Sequence, residues 1–137
     1  MGTQYQGIIS RFYDVVDGVV DGNPADLMAE DFQFEMVYPA GGGAPEERIF
    51  GGKEEYKRFR NALYTRPEGP PARANGNERR HQIHTIELID GVEFMLGEAQ
   101  GGRRQGTILA AAQQNAEGKM TRYVVVMTGV PFGERKV

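Results

Sequence analysis

The feature that most constrains this chain is the punctuation of its C-terminal half. Four strand-like runs, residues 80 to 89, 92 to 99, 106 to 114 and 119 to 128, are separated by Asp90-Gly91, "QGGRRQ" and "NAEG". Asp-Gly between two apolar runs is the strongest short-range signal for a hairpin, because both residues tolerate the positive φ angles of a two-residue turn. The half therefore reads as an antiparallel meander.

The N-terminal half reads as helical with one strand. Ile8, Phe12, Val15 and Val19 form one stripe, with Ile9, Tyr13, Val16 and Val20 beside it, the spacing of an amphipathic helix over residues 5 to 21 that ends at Gly22. "NPADLMAED" offers Asn23 as a cap, a proline at the first helical position and Asp26 in the first turn, which predicts a second, short helix. "FQFEMVYP" alternates Phe32, Phe34, Met36 and Tyr38 with Gln33, Glu35 and Val37, the period of a strand with one buried face. "AGGGAPEERIFGG" reads as a glycine-rich connection, and "KEEYKRFRNALY" brings Tyr56, Phe59 and Leu63 to one side of a third helix.

The predicted order of helix, helix, strand, helix and four antiparallel strands implies an α+β fold in one domain, residues 1–137. A strongly curved, mostly antiparallel sheet wraps around three N-terminal helices. Residues 65 to 78, with three prolines and two glycines, read as a flexible loop or lid.

Composition removes several function classes. The chain has no cysteine, which excludes thiol catalysis, thiolate metal sites and disulfides. A net charge of −3 with interspersed signs argues against nucleic-acid binding, and Arg79-Arg80 and Arg103-Arg104 read as solvated charges. No run approaches the roughly eighteen apolar residues of a membrane span, and "MGTQYQ" has Gln6 where a myristoylation signal needs Ser or Thr. A cytoplasmic protein with no membrane partner is expected.

The element order resembles the nuclear transport factor two-like, or cystatin-like cone, superfamily. The likeness is carried by "VVDGNPADLMAEDFQFEM", "FGGKEEYKRF" and "NAEGKMTRY". It implies a conical barrel, a small hydrophobic ligand and a homodimer formed through the convex sheet face, where Val124 and Val126 point. Among the enzyme branches, which include ketosteroid isomerases, scytalone dehydratase, limonene epoxide hydrolase and the SnoaL-like polyketide cyclases, the last is the nearest fit. The resemblance to ketosteroid isomerases puts Met36 at the position of the aspartate base, Ala110 at the acid, and Phe12 or Tyr13 at the helix tyrosine. A thioether has no useful basicity, so steroid isomerisation is not expected.

The apolar parity of Phe34, Met36 and Tyr38, with Tyr123, Val125 and Met127 on the last strand, predicts an aromatic, methionine-lined pocket. Phe12 and Phe59 border it, and Ala110 to Ala112 leave room. The same residues could instead fill the interior as core.

His81 and His84 are the only histidines. On a strand, positions three apart point to opposite faces unless a bulge intervenes, so a two-histidine metal site is not expected. If His84 shares a face with Ile86 and Leu88, it meets an apolar environment as a neutral base, while His81 lies near the loop and is exposed. Tyr13, Tyr38 and Tyr123 are candidate donors to a substrate carbonyl. Of Glu87, Glu93 and Glu98, at least one is a candidate for a buried acid or base, and Glu98 is the choice.

Taken together, these residues predict a small cofactor-independent cyclase, isomerase or dehydratase acting on a hydrophobic carbonyl compound. His84, Tyr13, Tyr38 and Glu98 would be catalytic, and Phe12, Phe34, Met36, Phe59, Tyr123, Val125 and Met127 would contact the ligand. A non-catalytic binding or assembly module is the alternative. An epoxide hydrolase, built on Arg122 with Glu93 or Glu98, is a third reading.

Overall fold

A computed structural model describes residues 7–38, 47–64, 81–99 and 106–129. The loop or lid expected at 65 to 78 lies outside the described residues.

Helix α1 spans Ile8–Val16 and stops short of the predicted end at Gly22. Gly18, at φ 78°, turns the chain into the left-handed region, and its N–H donates to the carbonyl of Val15 at 3.1 Å. That closure satisfies a carbonyl of the last turn and leaves Val19 and Val20 outside the helix and exposed. The second predicted helix is a single 3-10 turn, Pro24–Leu27. Asn23 caps it, its Oδ1 accepting from the N–H of Ala25 at 3.0 Å, but strand β1 begins at once with Met28. Two α-helices are therefore present among the described residues where three were expected, the other being α2, Lys53–Tyr64.

Strand β1, Met28–Tyr38, is followed by β2, Glu47–Gly52, inside the segment read as a connection. Nothing in β2 is fully buried, so its sequence carries no alternation to betray it. The meander follows as β3 (His81–Ile89), β4 (Val92–Ala99), β5 (Gly106–Gln114) and β6 (Met120–Met127). Asp90 and Gly91 have φ of 51° and 79°, the two positive angles expected of the β3–β4 turn.

The six strands form one curved sheet in the order β2-β1-β6-β5-β4-β3. All pairs are antiparallel except β1 with β6, which run parallel with Phe34 opposite Tyr123 and Met36 opposite Val125. Because the first strand pairs with the last, residues from both ends of the chain meet in the middle of the sheet.

One bulge matters for the site. Ile83 pairs with Gly97 and Thr85 with Leu96, so His84 is the extra residue between them. The slip lets Ile83 and Ile86 both face the helices despite their odd spacing. On the helical side of the sheet, α1 packs against β4 and β5 and α2 against β1 and β2. Ile8, Ile9, Phe32, Ile108, Met120 and Tyr123 are the most deeply buried apolar side chains.

Candidate functional site

Helix α1 carries the first two groups of the site. Tyr13 and Asp17 are four residues apart, so both project from the same side of the helix end. The Tyr13 hydroxyl makes a short hydrogen bond with that of Tyr123, which β6 presents from the sheet. Phe12 packs beside both rings, at centroid separations of 5.4 and 5.1 Å.

Strand β3 supplies the third group. The imidazole of His81 stacks on the Tyr13 ring at 4.4 Å and 22°. Asp17, 1% exposed, reaches the same residue twice: Oδ1 lies 2.5 Å from His81 Nδ1, and Oδ2 accepts the His81 backbone N–H at 3.0 Å. A carboxylate on Nδ1 fixes the tautomer with the proton on that nitrogen. The Nε2 lone pair is then the one able to exchange a proton with a ligand.

Burial pushes the Tyr13 hydroxyl well above its ordinary pKa, and the neighbouring Tyr38 and Asp17 add to it against the hydrogen bond with Tyr123. Tyr123 is raised too, first by burial and then by Tyr13. Both stay neutral O–H groups through the physiological range. In a two-hydroxyl chain one proton joins the pair, and the other can be given to an outside acceptor. Tyr38, half-buried, donates to the sulfur of Met36 at 3.3 Å, and its ring stacks on Phe59 at 6.3 Å.

The predicted contact residues Phe12, Phe34, Met36, Tyr123, Val125 and Met127 are buried in one cluster on the helical side, with Tyr38 and Phe59 packed against it. Two predicted catalytic residues are elsewhere. His84 is 44% exposed on the opposite face, where its Nε2 lies 3.3 Å from Glu98 Oε1. The bulge turns His84 out, and Glu98, paired with Gln82, has outward parity, so neither meets the apolar interior expected for it.

The buried strand carboxylate is Glu93. Its Oε1 accepts the Ile9 N–H at 2.9 Å, capping α1, whose own Gly7 has no side chain to do so. Arg122 meets neither Glu93 nor Glu98: it lies on β6 between Gln33 of β1 and Gln113 of β5. The carboxylate–arginine grouping of the hydrolase reading is not formed.

Sequence reasoning missed Asp17 and expected His81 to be exposed, whereas His81 is buried between Tyr13 and Asp17. The available signals were the four-residue spacing of Tyr13 and Asp17, and the shared parity of His81 and Ile83 at the start of β3. Among the described residues no group of three or more histidines and carboxylates could hold a metal ion, and no helix is long and apolar enough to cross a membrane.

No protein-family model matches the sequence, and no curated protein matches it either. Solved structures do. An NTF-2 like protein of unknown function from Burkholderia xenovorans LB400 has a TM-score of 0.58 at 16% identity, covering 93% of this chain and 84% of that one. An LEH-like epoxide hydrolase from M. tuberculosis has a TM-score of 0.54 at 14% identity over 88% of this chain and 80% of its own. A provisionally assigned isomerase from Bacillus subtilis has a TM-score of 0.53 at 15% identity, with coverages of 88% and 84%. At these identities the likeness is one of fold, and chemistry has to be argued from the site. The order of elements, the curved six-stranded sheet and these structural neighbours identify the chain as having the nuclear transport factor two-like fold.

Proposed function

We propose that this protein is a small cofactor-independent enzyme of the SnoaL-like kind. It isomerises, cyclises or dehydrates an apolar carbonyl compound, such as a polyketide or terpenoid intermediate. The observation that carries the reading is the Asp17–His81 pair set against the Tyr13–Tyr123 hydroxyls. His81 Nε2 takes a proton from the carbon beside the carbonyl, while a tyrosine O–H donates to the carbonyl oxygen as negative charge develops there. Asp17 holds the resulting imidazolium, which returns the proton at a second carbon or to a leaving hydroxyl. The aromatic and thioether side chains around the pair suit a hydrophobic substrate.

General acid–base assistance of this kind contributes about 10²- to 10⁴-fold. Turnover of bicyclic and polycyclic ketones, followed by absorbance, tests the reading. A substrate whose conversion survives intact in Asp17→Asn and His81→Gln would defeat it.

A non-catalytic binding module is the second reading. It is favoured by the mutual satisfaction of the Tyr13 and Tyr123 hydroxyls within a closely packed aromatic cluster.

We also infer a homodimer through the outer sheet face, in a cytoplasmic protein. Leu96, Leu109 and Val126 lie in one cross-strand row there, with Phe94 nearby. Leu109 is 52% exposed, and burial of such a row against a second copy removes apolar surface from water.

A further inference from the structure

The outer face of β2, β1 and β6 carries a groove of about 300 Å³, away from the helices and from the site just described. Its walls come from Gln33, Glu35, Arg48, Phe50, Arg122 and Val124. The strand register explains the grouping: Glu35 has Phe50 on one side and Val124 on the other, and Gln33 stands opposite Arg122.

The charges in the groove do not cancel. Arg48 forms an ion pair with Glu35, and its guanidinium lies 5.9 Å from the centre of the Phe50 ring. That arginine is occupied, and the carboxylate neutralised. Arg122 is flanked across both strand pairings by glutamines, and among the described residues it has no carboxylate partner. One guanidinium is thus left uncompensated on the β6 side of a groove whose β2 wall is a phenyl ring that is 67% exposed.

We propose that this groove binds a small organic monoanion, a carboxylate with a flat aromatic body. The planar fork of Arg122 matches a carboxylate with two parallel hydrogen bonds, and Gln33 beside it offers a further amide donor. Phe50 and Val124 supply the apolar wall for the ring. A dianion such as phosphate fits less well, because the Glu35 carboxylate shares the groove and only one positive charge is in excess. The volume is at the lower end of small-molecule sites, about 300–1,000 Å³. The groove is independent of the proposed reaction, since none of its polar groups belongs to the Tyr13, Asp17, His81 and Tyr123 cluster.

The test is an NMR titration of the full chain with 2-naphthoate, and with 2-naphthamide as the neutral control. Saturable shifts at the amides of Gln33, Arg48, Phe50, Arg122 and Val124 are expected. Affinity should fall about tenfold or more for naphthamide and in Arg122→Gln, while His81→Gln binds as the parent does. An otherwise unchanged spectrum for Arg122→Gln verifies its fold. The proposal is overturned by no saturable binding at millimolar naphthoate, or by equal affinity in Arg122→Gln. It is also overturned by shifts confined to the helical side, or by groove amides that move with protein concentration and not with naphthoate. The last result would mean that a second copy fills the groove.

Discussion

Asp17 holds His81 by both its side chain and its backbone, with one carboxylate oxygen 2.5 Å from the imidazole Nδ1 and the other accepting the same residue's N–H at 3.0 Å. This joins the end of α1 to the start of β3, 64 residues away. It therefore has a structural role as well as the proposed chemical one. Replacing Asp17 with alanine leaves two buried donors unpaired and should cost about 3 kcal/mol, read as a lower urea midpoint at unchanged slope. A change within experimental error would mean that the contact does not hold the two elements together.

The tyrosine pair makes a prediction about alkali. Burial raises both hydroxyls above the ordinary value of 10.0, so the folded state holds these protons more tightly than the unfolded chain. Their contribution is complete below about pH 10 and is lost as pH rises above it, because only the unfolded state then gains by ionising. The Tm of the parent should fall from about pH 10 upward more steeply than that of the Tyr13→Phe and Tyr123→Phe double variant. Parallel profiles would contradict the burial of these hydroxyls.

Glu93 is an anchor for α1. Its carboxylate accepts from Ile9 at the positive end of the helix, and a side chain at Gly7 would collide with it. Glu93→Ala should cost about 2 kcal/mol or more, with Glu93→Gln losing less because an amide oxygen still accepts. Gly7→Ala should destabilise in the same direction. Equal stability of all three variants with the parent, by chemical unfolding, would remove the anchoring role.

The inferred dimer depends on the outward row of β4, β5 and β6. Leu109→Glu introduces a charge in the middle of it without touching the core, so light scattering should report a monomer with unchanged far-ultraviolet dichroism. A parent that is monomeric at every accessible concentration would defeat the inference.

The meander was legible because Asp90-Gly91 is a local signal, with the conformation held by two adjacent residues. The buried face of β1 was equally plain from Phe32, Phe34, Met36 and Tyr38. Strand β2 was not, since Glu47–Gly52 is stabilised by pairing with β1 and buries nothing completely. The helical promise of "NPADLM" lost to the strand that starts at Met28, a case of pairing overriding local propensity. The site failed to show itself for a related reason. Parity alone turns His84 inward, and a one-residue bulge at that position reverses parity. His81 then takes the interior, where its partner Asp17 comes from a distant helix end that no local pattern connects to it.

The central claim is that His81, held by Asp17, is the group that moves protons. Its most direct measurement is the exchange of deuterium into the carbon beside the carbonyl of apolar cyclic ketones, followed by NMR in heavy water. The account predicts exchange catalysed by the parent and by His84→Gln alike, and lowered by about 10²-fold or more in His81→Gln. Exchange that persists in His81→Gln and disappears in His84→Gln would contradict it.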